Sequence, residues 1–169
     1  MSVSLIKMTR NTMHAFFKNF AYDPLALGEE QASVYVYDQE IVDQIYDKHQ
    51  KQGKQHFAIM HEGQVIGDIY LKHINFVSQT CEMGIHIVND KCKGKGYGTQ
   101  AEMILLAYAF NKLNMKAVYA NTLINNERSM HVLKKAGFTE VYRNMQTVHF
   151  ECRKSTWKCT EELTDVIIA

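Results

Sequence analysis

The chain has 169 residues, 46% of them hydrophobic, and carries 19 Lys and Arg against 18 Asp and Glu. That length and apolar fraction suit one domain over residues 1–169 with a real core, and the near-neutral balance lacks the broad basic face a phosphate backbone demands, so no nucleic acid is expected. No apolar run approaches the roughly 20 residues of a membrane span, and Met1 to Arg10 lacks a signal peptide's apolar core, so a cytoplasmic protein without a membrane partner is expected.

Ser2 to Met8 alternates weakly and reads as a first strand, while Thr12 to Phe20 and Asp38 to Lys51 carry helical spacing. Between them, Ala21 to Tyr37 holds Asp23-Pro24 and Gly28 and reads as loop or broken helix. Phe57 to His61, a Glu62-Gly63 turn and Val65 to Ile74 form a hairpin pattern, and Cys81 to Val88 is the next strand. Lys93-Gly94-Lys95-Gly96-Tyr97-Gly98-Thr99 then leads into a helix pattern over Thr99 to Leu113. Gln100, Glu102, Asn111 and Lys112 are its clearly polar residues, which predicts a mostly buried helix with methionines such as Met103 and Met115 filling core space. Ala117 to Thr122 is a short strand. Asn125 or Asn126 can cap a helix that presents Ser129, Val132, Leu133 and Ala136 on one face and stops at Gly137. Phe138 to Arg143 and Thr147 to Arg153 pair as a closing hairpin, and Val166 to Ile168 either completes a strand or meets a second subunit in a homodimer. This order predicts an α/β mixed sheet with helices on its faces.

The glycine-rich stretch between strand and helix is the strongest local signal. Glycines at alternate positions allow positive φ and close approach, so successive backbone N–H groups can converge on one anion while the helix start aims its dipole there. Lys93 and Lys95 add charge. A nucleoside-triphosphate loop needs Ser or Thr after Gly-Lys, but Gly96 follows Lys95. The dinucleotide fingerprint needs glycine where Thr99 stands, and the strand ending in Asn121 and Thr122 lacks the ribose-binding acid.

Basic-Gly-x-Gly-x-Gly after a strand carrying Glu82 resembles the pyrophosphate loop of the GCN5-related N-acetyltransferase superfamily, and Asn126 to Phe138 resembles that superfamily's Asn-x-x-Ser/Ala…Gly-Phe segment. The resemblance covers roughly Phe57 to Arg153. It implies a mostly antiparallel central sheet flanked by helices, with a strand pair splayed at the cofactor site, and an enzyme that uses acetyl-CoA and requires no metal. Gly94, Gly96 and Gly98 would hold the diphosphate with Lys93, Lys95, Tyr97 and Thr99, Tyr97 packing mainly beneath the loop. His86, Ile87 and Val88 would pair through their backbone with the pantetheine arm, and Asn126 would hold the cofactor by its amide.

Acetyl transfer needs a neutral amine. Deprotonating a lysine-like amine at pH 7 costs roughly 4.6 kcal/mol against about 1 for an α-amine, so a base matters. Glu82 of Glu82-Met83-Gly84 is the candidate, with His86 and His73 as substitutes; each is otherwise a solvated strand residue. Many members carry a proton-donating Tyr where this chain has Leu133, so Ser129 is expected to steady the departing thiolate. The acceptor is a small amine such as a polyamine, or a protein N-terminus, against a wall from Phe16 to Tyr46 in which Asp23, Glu29, Glu30 and Asp38 are either cation ligands or solvated. Two other classes stay open: a non-catalytic acyl-CoA-binding or sensing domain, and a nucleotide-dependent enzyme. Cys81, Cys92, Cys152 and Cys159 form no C-x-x-C pair, which argues for reduced thiols and against zinc. Cys92 between Lys91 and Lys93 is expected either to react fastest with alkylators or to be an inert loop thiol.

Overall fold

The computed structural model describes residues 3–28, 36–158 and 167–168. β1 (Ser4–Lys7) leads into α1 (Arg10–Asn19), whose first turn is held by a capping box between Thr9 and Thr12. A short α2 (Pro24–Leu27), capped by the Asp23 side chain and opened by Pro24, occupies part of the segment read as loop or broken helix. α3 (Gln39–Lys51) starts at Asp38, whose carboxylate accepts the Ile41 N–H, so this acid serves as a cap. Glu29 and Glu30 lie outside the described residues.

β2 (Gln55–His61) and β3 (Gln64–Asn75) turn at Glu62 and Gly63, both at positive φ, 49° and 76°, which is the backbone twist a two-residue hairpin needs. β4 (Thr80–Ile87) passes through a 3-10 turn at Asp90–Cys92 into α4 (Tyr97–Asn111). β5 (Ala117–Leu123), α5 (Glu127–Ala136), β6 (Thr139–Arg143), β7 (Thr147–Arg153) and β8 (Ile167–Ile168) follow. Gly137 ends α5 at φ 108°, where an added Cβ would lie 2.8 Å from Trp157.

The strands form one sheet in the order β6-β7-β5-β4-β3-β2-β1-β8, antiparallel except at β4–β5 and β1–β8. Ile167 and Ile168 therefore pair as a strand opposite Leu5 and Ile6, and Val166 lies outside the described residues. Side chains alternate across the sheet. Phe57 and Ile59 of β2 join Ile69, Leu71, Leu105 and Phe110 in the core under α4, whereas Ala58 packs with Met8, Met13 and Val42 under α1 and α3. Met115 is fully buried and Met103 packs against the same core, as the filling role requires. Burial pushes the Cys81 and Cys152 thiols up to about 12, which keeps them protonated and unreactive.

One departure from regular pairing positions the site. β4 and β5 are joined only at Thr80–Ala117, Cys81–Val118 and Glu82–Tyr119, and beyond that point the two parallel strands separate into an open fork. The described helices include none long and apolar enough to cross a membrane.

Candidate active site

At the mouth of the fork, Gly94 and Gly96 take φ of 73° and 83°, and an added Cβ at either would meet no atom within 4 Å. Both therefore open a concave face. Gly96 is also the N-cap of α4 and supplies no side-chain cap, so the first N–H groups of the helix remain available to an anion. Gly98 differs: it sits inside the first helical turn, and a Cβ there would make ordinary contacts, 3.7 Å to Val132 and 3.9 Å to Ile85. Only the first two glycines of the three need special backbone, because the helix has already begun at Tyr97. The Tyr97 ring packs on His61 with its hydroxyl 2.9 Å from Nε2, so this side chain is buried in the fold and is not presented at the cradle. Lys93 bonds Asp23 and lies 3.0 Å from Asp90, so its charge is compensated inside the fold. Lys95 is exposed, and Thr99 is half-buried in the first turn.

The backbone of the fork corrects a second expectation. The Val88 N–H donates to the Ile66 carbonyl at 3.0 Å, and the Val88 carbonyl accepts from Ala21 at 2.6 Å. Because bonding alternates along an antiparallel ladder, this pair sets its phase: Gly84 and His86 spend their N–H and C=O groups on β3, while Ile85 and Ile87, beyond the last β4–β5 pair, turn theirs into the fork. Of His86, Ile87 and Val88, Ile87 has the backbone direction that such pairing requires. His86 and Val88 do not.

Two cavities meet at the fork. The larger, about 210 Å³, is walled by Tyr70, Lys72, Gly84, Asn121 and Thr147; the smaller, about 110 Å³, runs past Ile85, Ile87, Lys93, Gly98 and Arg128. His86, Glu102, Asn126 and Ser129 line both. Asn126 accepts the Ser129 N–H at 3.0 Å, so it caps α5 with Oδ1 and keeps its amide NH2 for a ligand. Leu133 is buried against the larger cavity.

Glu82 lines neither cavity. Its carboxylate lies 3.4 Å from Lys72 Nζ and 3.2 Å from His73 Nδ1, an ion-pair cluster at the irregular stretch where His73 takes φ of 50°. Neither Glu82 nor the exposed His73 reaches the fork. His86 does, and it is backed by Asp68: its Nδ1 is 2.9 Å from Asp68 Oδ1, while His56 Nε2 is 2.7 Å from Oδ2. A carboxylate accepts from both rings, which leaves His86 Nε2 as the nitrogen with a free lone pair when the ring is neutral. Burial opposes charge on Asp68, but the positive field of His86 and the hydrogen bonds from both histidines hold its carboxyl below the usual carboxylate range. Burial likewise opposes charge on His86, and the Asp68 carboxylate outweighs it, raising this imidazole above its ordinary value.

Tyr70 crosses β4 where Gly84 has no side chain; a Cβ on Gly84 would fall 2.4 Å from the Tyr70 hydroxyl. Burial pushes this phenol up to about 12, so it stays a hydrogen-bond donor in the larger cavity. Sequence reasoning missed Tyr70, Asp68 and Glu102 as site residues. The available signal was a lone acid in each of two apolar runs, Val65–Leu71 and Ala101–Ala107. Cys92 is half-buried against the core, and Cys159 lies outside the described residues.

A family model described as an acetyltransferase (GNAT) domain matches residues 5–139. The spermidine N(1)-acetyltransferase of Escherichia coli strain K12 is 32% identical over 96 residues, 56% of this chain and 51% of that enzyme. The putative ribosomal N-acetyltransferase YdaF of Bacillus subtilis is 31% identical over 83 residues, 49% of this chain and 45% of its own length. The chain spans about half the length of the curated relatives it matches. A chimera of the Vibrio cholerae spermidine N-acetyltransferase SpeG and hSSAT superposes with a TM-score of 0.74 at 19% identity, covering 92% of this chain and 97% of that one, which is a likeness of fold.

Proposed function

Since the chain belongs to the acetyltransferase (GNAT) domain family, we propose that it moves an acetyl group from acetyl-CoA to a primary amine by direct attack. The observation that carries the reading is the placement of an Asp-backed imidazole, His86, at a strand fork whose mouth is a glycine cradle on a helix start. The residues fit the co-substrate: the cradle at Gly94 and Gly96 has the open space and N–H groups a diphosphate needs, and the fork offers Ile85 and Ile87 as a strand edge beyond the last β4–β5 pair for the pantetheine amides. Asn126 adds an amide donor between the two. Bound there, acetyl-CoA supplies an activated acyl group.

His86 Nε2 accepts the proton that the amine gives up. Its raised affinity for a proton brings it nearer to an α-ammonium, which titrates near about 8, and so lowers the cost of that transfer. His86 takes over the role expected of Glu82, because alternate strand residues share a face but only His86 lies beyond the point where β4 leaves β5. The fork-facing N–H groups are donors for the thioester oxygen. Ser129 lies on the route of the leaving sulfur, to which its hydroxyl can donate.

Among the described residues, the walls of the larger cavity offer Lys72, Asn121, Thr122 and Thr147 and no carboxylate except Glu102. That lining favours an amine flanked by hydrogen-bonding groups, as at a peptide N-terminus, over a polycation. The E. coli relative's name points the other way, to spermidine. A CoA-release assay with a peptide amine, spermidine and no amine separates them: release on the peptide is expected, and release on spermidine alone assigns a polyamine acceptor. Binding of acetyl-CoA without release on any amine would instead mark a non-catalytic sensing domain. A cytoplasmic location and a homodimer belong to the same reading; a monomeric mass in light scattering would remove the latter.

A further inference from the structure

Glu102 lies in the second turn of α4 with 1% of its surface exposed, and neither carboxyl oxygen has a hydrogen-bond partner among the described residues. An apolar side chain would fill such a position without that cost. Glu102 stands one turn beyond Gly98 on the same face of the helix, and Gly98 looks onto Ile85 and Val132 across the smaller cavity. It therefore sits deeper in the fork, at the junction of the cleft for the cofactor arm and the cavity for the acceptor. Any thioester joining the two must pass this junction. Leu133, where the resemblance expects a proton-donating Tyr, borders the same cavity and can donate nothing.

We propose that Glu102, in its neutral form, is the proton donor to the coenzyme A sulfur, a role that rests on the acetyl-transfer reading. The first proton of the ammonium passes through His86 to solvent; as the neutral acceptor nitrogen then bonds to the acetyl carbon and gives a second proton to His86, the carbon–sulfur bond breaks with its electron pair on sulfur. The proton of Glu102 moves to that sulfur, leaving an amide, a free thiol and a carboxylate. The proton held by His86 returns to Glu102 through solvent, and both groups are restored.

Burial pushes the Glu102 carboxyl up to about 8, so it holds its proton at neutral pH and matches a thiol in acidity. The titratable and charged groups facing the two cavities are His86 of β4, Tyr70 and Lys72 of β3, Asp23 before α2, Lys93 of the loop and Arg128 of α5. Lys93 is bonded to Asp23, and Lys72 to Glu82.

The test uses Glu102→Gln, which keeps the shape without an acidic proton, and Glu102→Met, which removes the buried polar group and carries the test if the amide variant fails to fold. The unaltered chain is expected to lose kcat above pH about 8; both variants are expected to lower kcat by roughly 10²- to 10⁴-fold, with the coenzyme A Kd within about threefold and without that alkaline fall. In the ligand-free chain, Glu102 is protonated when folded and ionised when unfolded between its ordinary value of 4.5 and about 8, so stability falls as pH rises through that window. Glu102→Met is expected to lose this slope and to melt several degrees higher at pH 8. Falling activity with rising stability is the signature, since a purely structural residue loses both together. Variants that keep kcat within threefold and retain the alkaline decline overturn the role of Glu102 and leave acetyl transfer standing. An unaltered chain that releases no coenzyme A on any amine overturns both.

Discussion

The half of the site proposed for the cofactor's phosphates comes from one run of consecutive residues, Lys93 to Thr99, whereas the half proposed to handle protons is gathered from β2, β3, β4 and α4 as His56, Asp68, His86 and Glu102. The first half works through backbone: two left-handed glycines and a helix start, with the charge of Lys93 already spent on Asp23. The second works through side chains whose properties come from burial and from each other. The cradle should therefore be sensitive to φ and indifferent to most side-chain changes, and the proton-handling half the reverse.

The largest effect that sharpens this contrast is expected at His86. Replacing it with Gln should reduce kcat by roughly 10²- to 10⁴-fold and leave the acetyl-CoA Kd within about threefold, measured by steady-state kinetics and titration calorimetry. Parallel losses in both would mean that the two halves are not separable. Gly96→Ala should do the opposite. A Cβ at φ 83° costs about 1 kcal/mol and projects into the space left open for an anion, so acetyl-CoA binding should weaken by about tenfold or more while kcat at saturation holds. Unchanged binding would move the diphosphate away from this loop.

A smaller effect probes the wiring inside the proton-handling half. The Asp68 carboxylate raises the His86 imidazole, so Asp68→Asn should shift the acidic limb of the kcat/KM profile to lower pH, with a loss in maximal rate as His86 loses its anchor. A profile that stays in place would disconnect Asp68 from the base. The smallest effect is expected at His49 of α3, whose ring lies 5.2 Å from that of His56. Burial lowers it from 6.5 to about 4, so below 6.5 the unfolded chain takes up a proton that the folded chain refuses, and stability declines as pH falls toward 4. Its burial is partial, which limits the size. Urea unfolding at pH 7, 5.5 and 4.5 should show the slope in the unaltered chain and a flatter one in His49→Phe; equal slopes would assign acid sensitivity elsewhere.

Much of the scaffold was legible because it obeys short-range rules. The Glu62-Gly63 hairpin, the Asn126 cap, the Gly137 stop and the buried α4 each follow from a few neighbouring residues, and the structure differs from the pattern at their ends by one or two positions. The pattern starts this helix at Thr99, and the helix begins at Tyr97 because Gly96 already supplies the cap geometry. Of the residues the sequence singles out, the glycine cradle lies at the mouth of the fork and Asn126 and Ser129 line its cavities. Glu82 and His86 are both polar residues of one strand face, and nothing in their local sequence tells which lies past the separation of β4 from β5. Likewise, local sequence does not give the phase of the β3–β4 ladder, which turns the backbone of Ile85 and Ile87, and not of His86 and Val88, into the fork.

By itself the sequence determined the glycine cradle, the caps and the order of strands and helices, since these depend on φ preferences, side-chain-to-backbone bonds and hydrophobic period over a few residues. Only the tertiary structure decided which strand residues reach the fork and what protons they hold. Both depend on neighbours distant in sequence: the Ile66–Val88 pair that sets the ladder, the Asp68 charge behind His86, and the apolar surroundings that strip water from Glu102.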